Sequence, residues 1–344
     1  MLAKTLILTA AAAALLPAGV GLDAGGAAGA AAVQEGRAWN RELSFELSSA
    51  ETDRTDRINL SLRHGSGDRR SHYGRTMALA DLQGLTMADG PARFRIVREA
   101  GTIDCEGVVR SLRGTGECRF HPDAGFAAEL QSRSIGRADD EEMFHLAMAG
   151  VGRPLLAELE RQGYPRPRVS DLVALGIHGA DVDYLRGLDS AGYRVGDIEQ
   201  LVAFRIHGVT PAFISEMAAL GGQFSRMAPE RLVEMRIHNV TPGFGRAMAE
   251  LGQQGFGPSQ LVAMKIHGLT EARIREFAAI GYRGLSADVL TQFAIHNVTP
   301  DYVREMAAAG YSDLTPEQLV NMRIHGVRAE DAAAINAAVA GHDD

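Results

Sequence analysis

Six histidines occupy one repeated slot: His178, His207, His238, His267, His296 and His325, each within an Ile-His-Gly or Ile-His-Asn tripeptide. An imidazole ligates metals, moves protons and gains charge below about pH 6.5, so a row of them raises three kinds of chemistry. The first is structural: a histidine ending a helix can satisfy an orphan carbonyl, complement the negative helix end, or bond to the next repeat. The second is a ligand-facing row. On a wheel of about 100° per residue, the histidine lies about 240° from the leucine six positions earlier and off the apolar stripe. The third is metal binding. One histidine per repeat sets ligands about 8–10 Å apart, too far to share one zinc, so no metal and no cofactor are expected.

A cation stands two positions before four of these histidines: Arg205, Arg236, Lys265 and Arg323. Each can snorkel or pair with an acid of the following helix, Glu216 or Glu305 for instance. The functional reading of the same row is a basic stripe for an acidic peptide or for anionic envelope material.

Catalytic spacings are missing. The sequence has no HExxH, no GxSxG and no GxxxxGK[ST]. His64, Ser66 and Asp68 fall close together, but triads are assembled in space rather than along one loop. Cys105 is a poor nucleophile on an inward strand face. No catalytic residue is expected, and the chain reads as a non-enzyme.

The elements that carry these residues divide into two units. A chain of 344 residues is long for one core, and its 46% hydrophobic and 23% charged content is that of a globular protein. Net charge is −8, with Lys4 and Lys265 the only lysines. The absence of a long basic run argues against a nucleic-acid partner. Residues 1–32 read as a signal peptide: Lys4, then an apolar run from Thr5 to Leu16, then small residues around Ala28-Gly29-Ala30. The run is short of the roughly 20 residues that span a bilayer, and no later segment reaches that length. A periplasmic or secreted protein without a membrane span is therefore expected, with association to the envelope.

Residues 37–123 alternate as half-buried antiparallel strands. Leu43, Phe45 and Leu47 share a face, as do Ile58, Leu60 and Leu62; Phe94 and Ile96 follow. Ile103 and Cys105 face Cys118 and Phe120 across a turn at Arg110 to Gly114. The two cysteines would be near-opposite on the apolar face, either as a disulfide or as two buried thiols. His64 to Arg75 reads as a polar loop, and residues 124–142 as the linker.

Residues 143–342 form the repeat unit. The histidines recur at intervals of 29, 31, 29, 29 and 29, with a degenerate first unit around Ala149 and the two extra residues in Gly221 to Ala228. Each repeat reads as two short helices. Thr315-Pro316 with Gln318 makes a capping box for the first, and Gly326 or an equivalent Asn ends it. Thr210-Pro211, Thr241-Pro242 and Thr299-Pro300 open the second. The apolar stripe of the first helix is expected to comprise Leu319, Val320, Met322 and Ile324, buried by stacking as in a solenoid. The last unit, with Arg328 in place of the N-cap Thr and an Ala-rich helix, reads as a cap.

The repeat Leu319 to Val327 resembles one found in uncharacterised exported bacterial proteins, and is similar to the extracytoplasmic tails of some antirepressor-type sensor metallopeptidases. The likeness covers roughly Met148 to Val327, and the strand unit around Gly101 to Phe120 is similar to the partner domain of those exported proteins. The zinc-protease motif of that family is missing, so the resemblance implies a sensing or docking role and no peptidase activity. The fold class expected is α+β: a small antiparallel β domain followed by an α-helical solenoid. The function expected is binding of a protein or peptide partner along the array. The alternative is a self-assembling structural protein of the envelope.

Overall fold

The structure, a computed structural model, describes residues 43–51, 54–64, 71–252 and 256–340. The expected signal segment, the residues 65–70 of the expected polar loop and the terminal aspartates lie outside them.

Six strands make one antiparallel sheet: β1 (Ser44–Glu51), β2 (Arg54–His64), β3 (Ser71–Ala78), β4 (Gly90–Arg98), β5 (Gly101–Arg110) and β6 (Arg113–Pro122), in the order β3-β2-β1-β6-β5-β4. Leu43, Phe45, Leu47, Ile58, Leu60, Leu62, Ile103 and Phe120 are all buried, so the period-2 pattern selects one inward face. The other face is polar and carries cross-strand ion pairs such as Arg63–Glu46 and Arg95–Asp104. The sheet curls strongly. The rings of Phe45 on β1 and Phe94 on β4 meet at 5.0 Å, although two strands separate them and a flat sheet would hold them about 14 Å apart. Gly107 and Gly116 permit this: they pair across β5 and β6, and a Cβ on either would lie under 3.0 Å from the other's backbone and from the Phe45 ring.

Part of the expected polar loop is strand. Ser71 to Ala78 pairs with His64 to Arg57 as an edge strand. Its register is supplied by β2 rather than by its own sequence, which has only Tyr73 and Met77 to mark an inward face. Cys105 and Cys118 are directly opposed on β5 and β6, and their sulfurs are bonded.

The expected linker is also structured. A helix at Ala124–Ser132, capped by Asp123, buries Phe126 and Leu130. The next helix, Asp140–Ala149, has a capping box between Asp139 and Glu142 and begins before residue 143. This helix seats the array on the sheet. Phe144 packs edge-on against Phe120 at 5.5 Å, and Tyr73 hydrogen-bonds to His145. Arg75 donates to the Met148 carbonyl, and Glu99 accepts from the Arg153 amide. Burial holds the His145 imidazole below its usual pKa, against the pull of Glu141, Asp139 and Glu142. One apolar core runs without a break from sheet to array.

From there the chain is a two-layer stack. First helices occupy Val169–His178, Ile198–Ile206, Pro229–Ile237, Pro258–Ile266, Ala287–Ile295 and Pro316–Ile324. Each packs on the first helix of the next repeat, and the second helices pack on one another likewise. Thr210, Thr241, Thr270 and Thr299 cap the second helices by accepting from the third backbone N–H of each. First helices end in a left-handed residue, Gly208 or Asn239 for instance, with the following valine's N–H returned to a carbonyl five residues back. The two-residue insertion is a short 3-10 turn, Gly222–Phe224. A buried carboxylate joins the first two second helices: Glu158 accepts from Arg161, Gln162 and, one repeat on, Arg186. The Arg161 hydrogen bond and the other two hold it down to a pKa of about 2, against the cost of its burial. In the final helix, Ala329–Ala340, Ala332 is buried and Ile335 is 58% exposed.

Candidate functional site

Each repeat histidine ends its first helix, as the last residue or the C-cap. His178, His267 and His325 are exposed, and His207, His238 and His296 are half-exposed. Of these six histidines, only His296 makes a side-chain hydrogen bond among the described residues, to Gln292 at 3.1 Å on its own helix. The inter-repeat joint uses the histidine backbone instead. Arg205 donates to the His178 carbonyl at 3.1 Å, Arg236 to that of His207 at 3.3 Å and Arg323 to that of His296 at 3.4 Å.

The same cations lie over aromatic rings of the preceding repeat. Arg205 sits 4.7 Å from the Tyr184 centroid, Arg236 5.1 Å from Phe213, Lys265 4.5 Å from Phe244 and Arg323 4.8 Å from Tyr302. Each ring belongs to the third residue of a second helix, whose own N–H is held by the N-cap side chain. A latch results: cap, ring, cation, and the carbonyl end of the previous first helix. Cation–π contact and C-terminal charge complementarity act together at one place. Where the cation is absent, its ring is absent too. Ala294 stands in the cation slot opposite Arg273, and Gly176 opposite Leu155. The joint is a pairwise device, and the four half-buried cations are committed to it. Pairing with acids of the following helix does not occur at these positions: Glu216 instead faces Arg246 of the next second helix, at 3.4 Å.

The residue left unexplained by packing is the isoleucine beside the histidine. Sequence reasoning placed Ile324 in the buried stripe, but it is 53% exposed, and Ile177, Ile206, Ile237, Ile266 and Ile295 are 64, 54, 56, 55 and 46% exposed. Helix geometry accounts for the correction. Ile324 follows Leu319 by five residues, about 140° round the wheel, and the buried positions are those at Leu319 and its equivalents three residues apart, such as Leu201 and Phe204. Four residues before each isoleucine stands a valine or threonine on the same side of the helix: Val173, Val202, Val233, Thr291 and Val320 are half-buried and Val262 is buried. Six repeats thus carry one large aliphatic side chain in register in water, bordered by imidazoles. Scattered exposed leucines and isoleucines are ordinary on protein surfaces; these recur at one slot of every repeat.

The histidines stand one per repeat, and no group of three potential metal ligands occurs among the described residues. No helix among those residues is long and apolar enough to cross a membrane. No protein-family model matches the sequence, and no curated protein matches it.

Proposed function

We propose that the protein is a non-catalytic repeat protein that binds a protein or peptide partner along the first-helix layer of its array, in the periplasm or outside the cell, in an envelope-sensing role. The isoleucine row is the observation that carries this reading. An isoleucine about half exposed gives only part of its surface to the stacking of helices and raises the risk of aggregation, yet this slot, like the histidine slot beside it, keeps its identity through six repeats. The histidines border that row with adaptable donors and acceptors. The Cys105–Cys118 bond suits an oxidising compartment, which supports the extracytoplasmic part of the reading.

The test compares wild type with the triple variant Ile206→Ser, Ile237→Ser and Ile266→Ser as baits in envelope extract, with any captured partner then titrated against both by calorimetry. These side chains are exposed, so the variant is expected to melt within a few degrees of wild type, each change being worth about 0.5 kcal/mol or less. It is expected to lose the partner. Equal capture by both baits would remove the row from the account of binding. The same apolar row favours a second reading, a structural protein that assembles copy against copy. Sedimentation of the wild type decides: concentration-dependent dimers or larger species abolished by the triple variant would transfer the row to self-assembly.

A further inference from the structure

Between the first helices Ile198–Ile206 and Pro229–Ile237 lies a groove of about 230 Å³. Pro229, Val233 and Ile237, one turn apart, line it along one side, with Phe204 of the neighbouring helix opposite. Glu230 and Glu234, again one turn apart, form a parallel rim, and no basic side chain lines the groove. Its volume is below the roughly 300 Å³ at which pockets for whole small molecules begin, so it suits one long side chain.

This repeat is unlike its neighbours in two respects. The connection before it carries the two-residue insertion, the only departure from the 29-residue interval between histidines. It alone has acids at both rim positions: the equivalents are Glu199 with Ala203, Ser259 with Ala263, Asp288 with Gln292, and Glu317 with Asn321. The cations nearby are otherwise engaged. Arg231 pairs with Glu234, and Arg236 is turned back onto Phe213 and the His207 carbonyl. Among the described residues, Glu230 accepts only from the neutral Gln200 amide, at 3.3 Å. An apolar floor with a surplus carboxylate complements an aliphatic stem that ends in a positive charge.

Resting on the partner-binding reading above, we propose that this groove seats a lysine or arginine of a partner peptide, with its methylenes on Pro229, Val233 and Ile237 and its charge at Glu230 and Glu234. Aliphatic residues of the same peptide meet Ile206 and Ile266 on either side. Neighbouring helices are about 8–10 Å apart, an extended chain advances about 3.3 Å per residue and alternate side chains share a face, so those aliphatic residues fall an even number of positions, two or four, from the basic one.

The experiment pans a displayed random-peptide library on the full chain, on the neutralised variant E230Q/E234Q, and on the charge-reversed variant E230K/E234K. Melting temperatures establish that all three fold. The expected result is a wild-type consensus with lysine or arginine flanked by aliphatics at two- or four-residue spacing. Synthetic peptides of that consensus should then bind the neutralised variant about tenfold more weakly, and the reversed variant should prefer an acidic residue at the centre. Aliphatic consensus peptides without a basic position, or consensus peptides that bind the neutralised variant as tightly as wild type, would overturn the assignment of this groove while leaving peptide binding by the row intact. Failure of the wild type to enrich any peptide would overturn both.

Discussion

At the scale of single residues, the position two before each histidine decides how one repeat holds the next. Arg236 combines a ring contact with Phe213 and a hydrogen bond to a helix-terminal carbonyl, while remaining half in water. Contacts of this kind are worth about 1 kcal/mol rather than several, because solvent screens them. Arg236→Ala is therefore expected to lower unfolding free energy by about 1–2 kcal/mol, and in a double-mutant cycle with Phe213→Leu about half of that should appear as coupling. The chain supplies its own converse. Ala294 faces Arg273 where the latch is missing, so Ala294→Arg with Arg273→Phe should install one and raise stability by about 0.5–1 kcal/mol, with neither single change doing so. Denaturant melts check both, and additive effects would dissolve the latch into independent contacts. The cations were visible in the sequence as a repeated slot, but their partners were not. A ring 21 to 23 residues earlier becomes a neighbour only when helices stack.

At the scale of elements, the joint between sheet and array and the contact between the first two second helices carry groups that respond to acid. His145 hydrogen-bonds Tyr73 across that joint, and burial lowers its pKa. A histidine that is harder to protonate folded than unfolded contributes stability above its ordinary pKa of about 6.5 and loses it as pH falls below that value. Glu158 has the opposite chemistry and the same direction. Its carboxyl is held down to about 2 by Arg161, Gln162 and Arg186, so its contribution is complete above the ordinary carboxylate range and is lost as pH falls from there toward 2. Stability measured against pH should therefore fall in two stages on acidification. His145→Phe should abolish the upper stage and Glu158→Gln should reduce the lower, to which Glu129 and Asp171, held below the usual carboxylate range by Arg133 and Arg168, also contribute. A profile unchanged by both substitutions would contradict the assignment. The strand β3 belongs to this scale as well: its polar sequence reads as loop, and only pairing with β2 and the docking of Tyr73 on Phe144 make it a strand.

At the scale of the whole molecule, the array is anchored at one end. The helix Asp140–Ala149 packs on β5 and β6 and shares a continuous core with the sheet, whereas Pro316–Ile324 has Leu319 as its one fully buried residue. In a stack where each repeat is stabilised by its nearest neighbours, opening should begin at the end with fewer contacts. Amide hydrogen exchange is expected to be fastest in 316–340 and slowest in 140–190, by a factor of about ten or more, with a gradient through the repeats between. Uniform protection would mean that the array unfolds as one cooperative block.

The sequence by itself determined the two-unit architecture, the period of 29, the caps at Thr210, Thr241, Thr299 and Thr315 and the opposition of Cys105 to Cys118. All of these follow from local spacing: the 2.0 and 3.6 periodicities, the N-cap and C′ residue types, and a short hairpin turn. Tertiary structure alone decided which faces remained exposed and which slots met. Leu319 and Ile324 are equally apolar, and composition does not separate them. Stacking buries the first and turns the second to water, and it brings each cation over a ring of the preceding repeat. Burial is a property of neighbours, and in a solenoid the neighbours lie one repeat away.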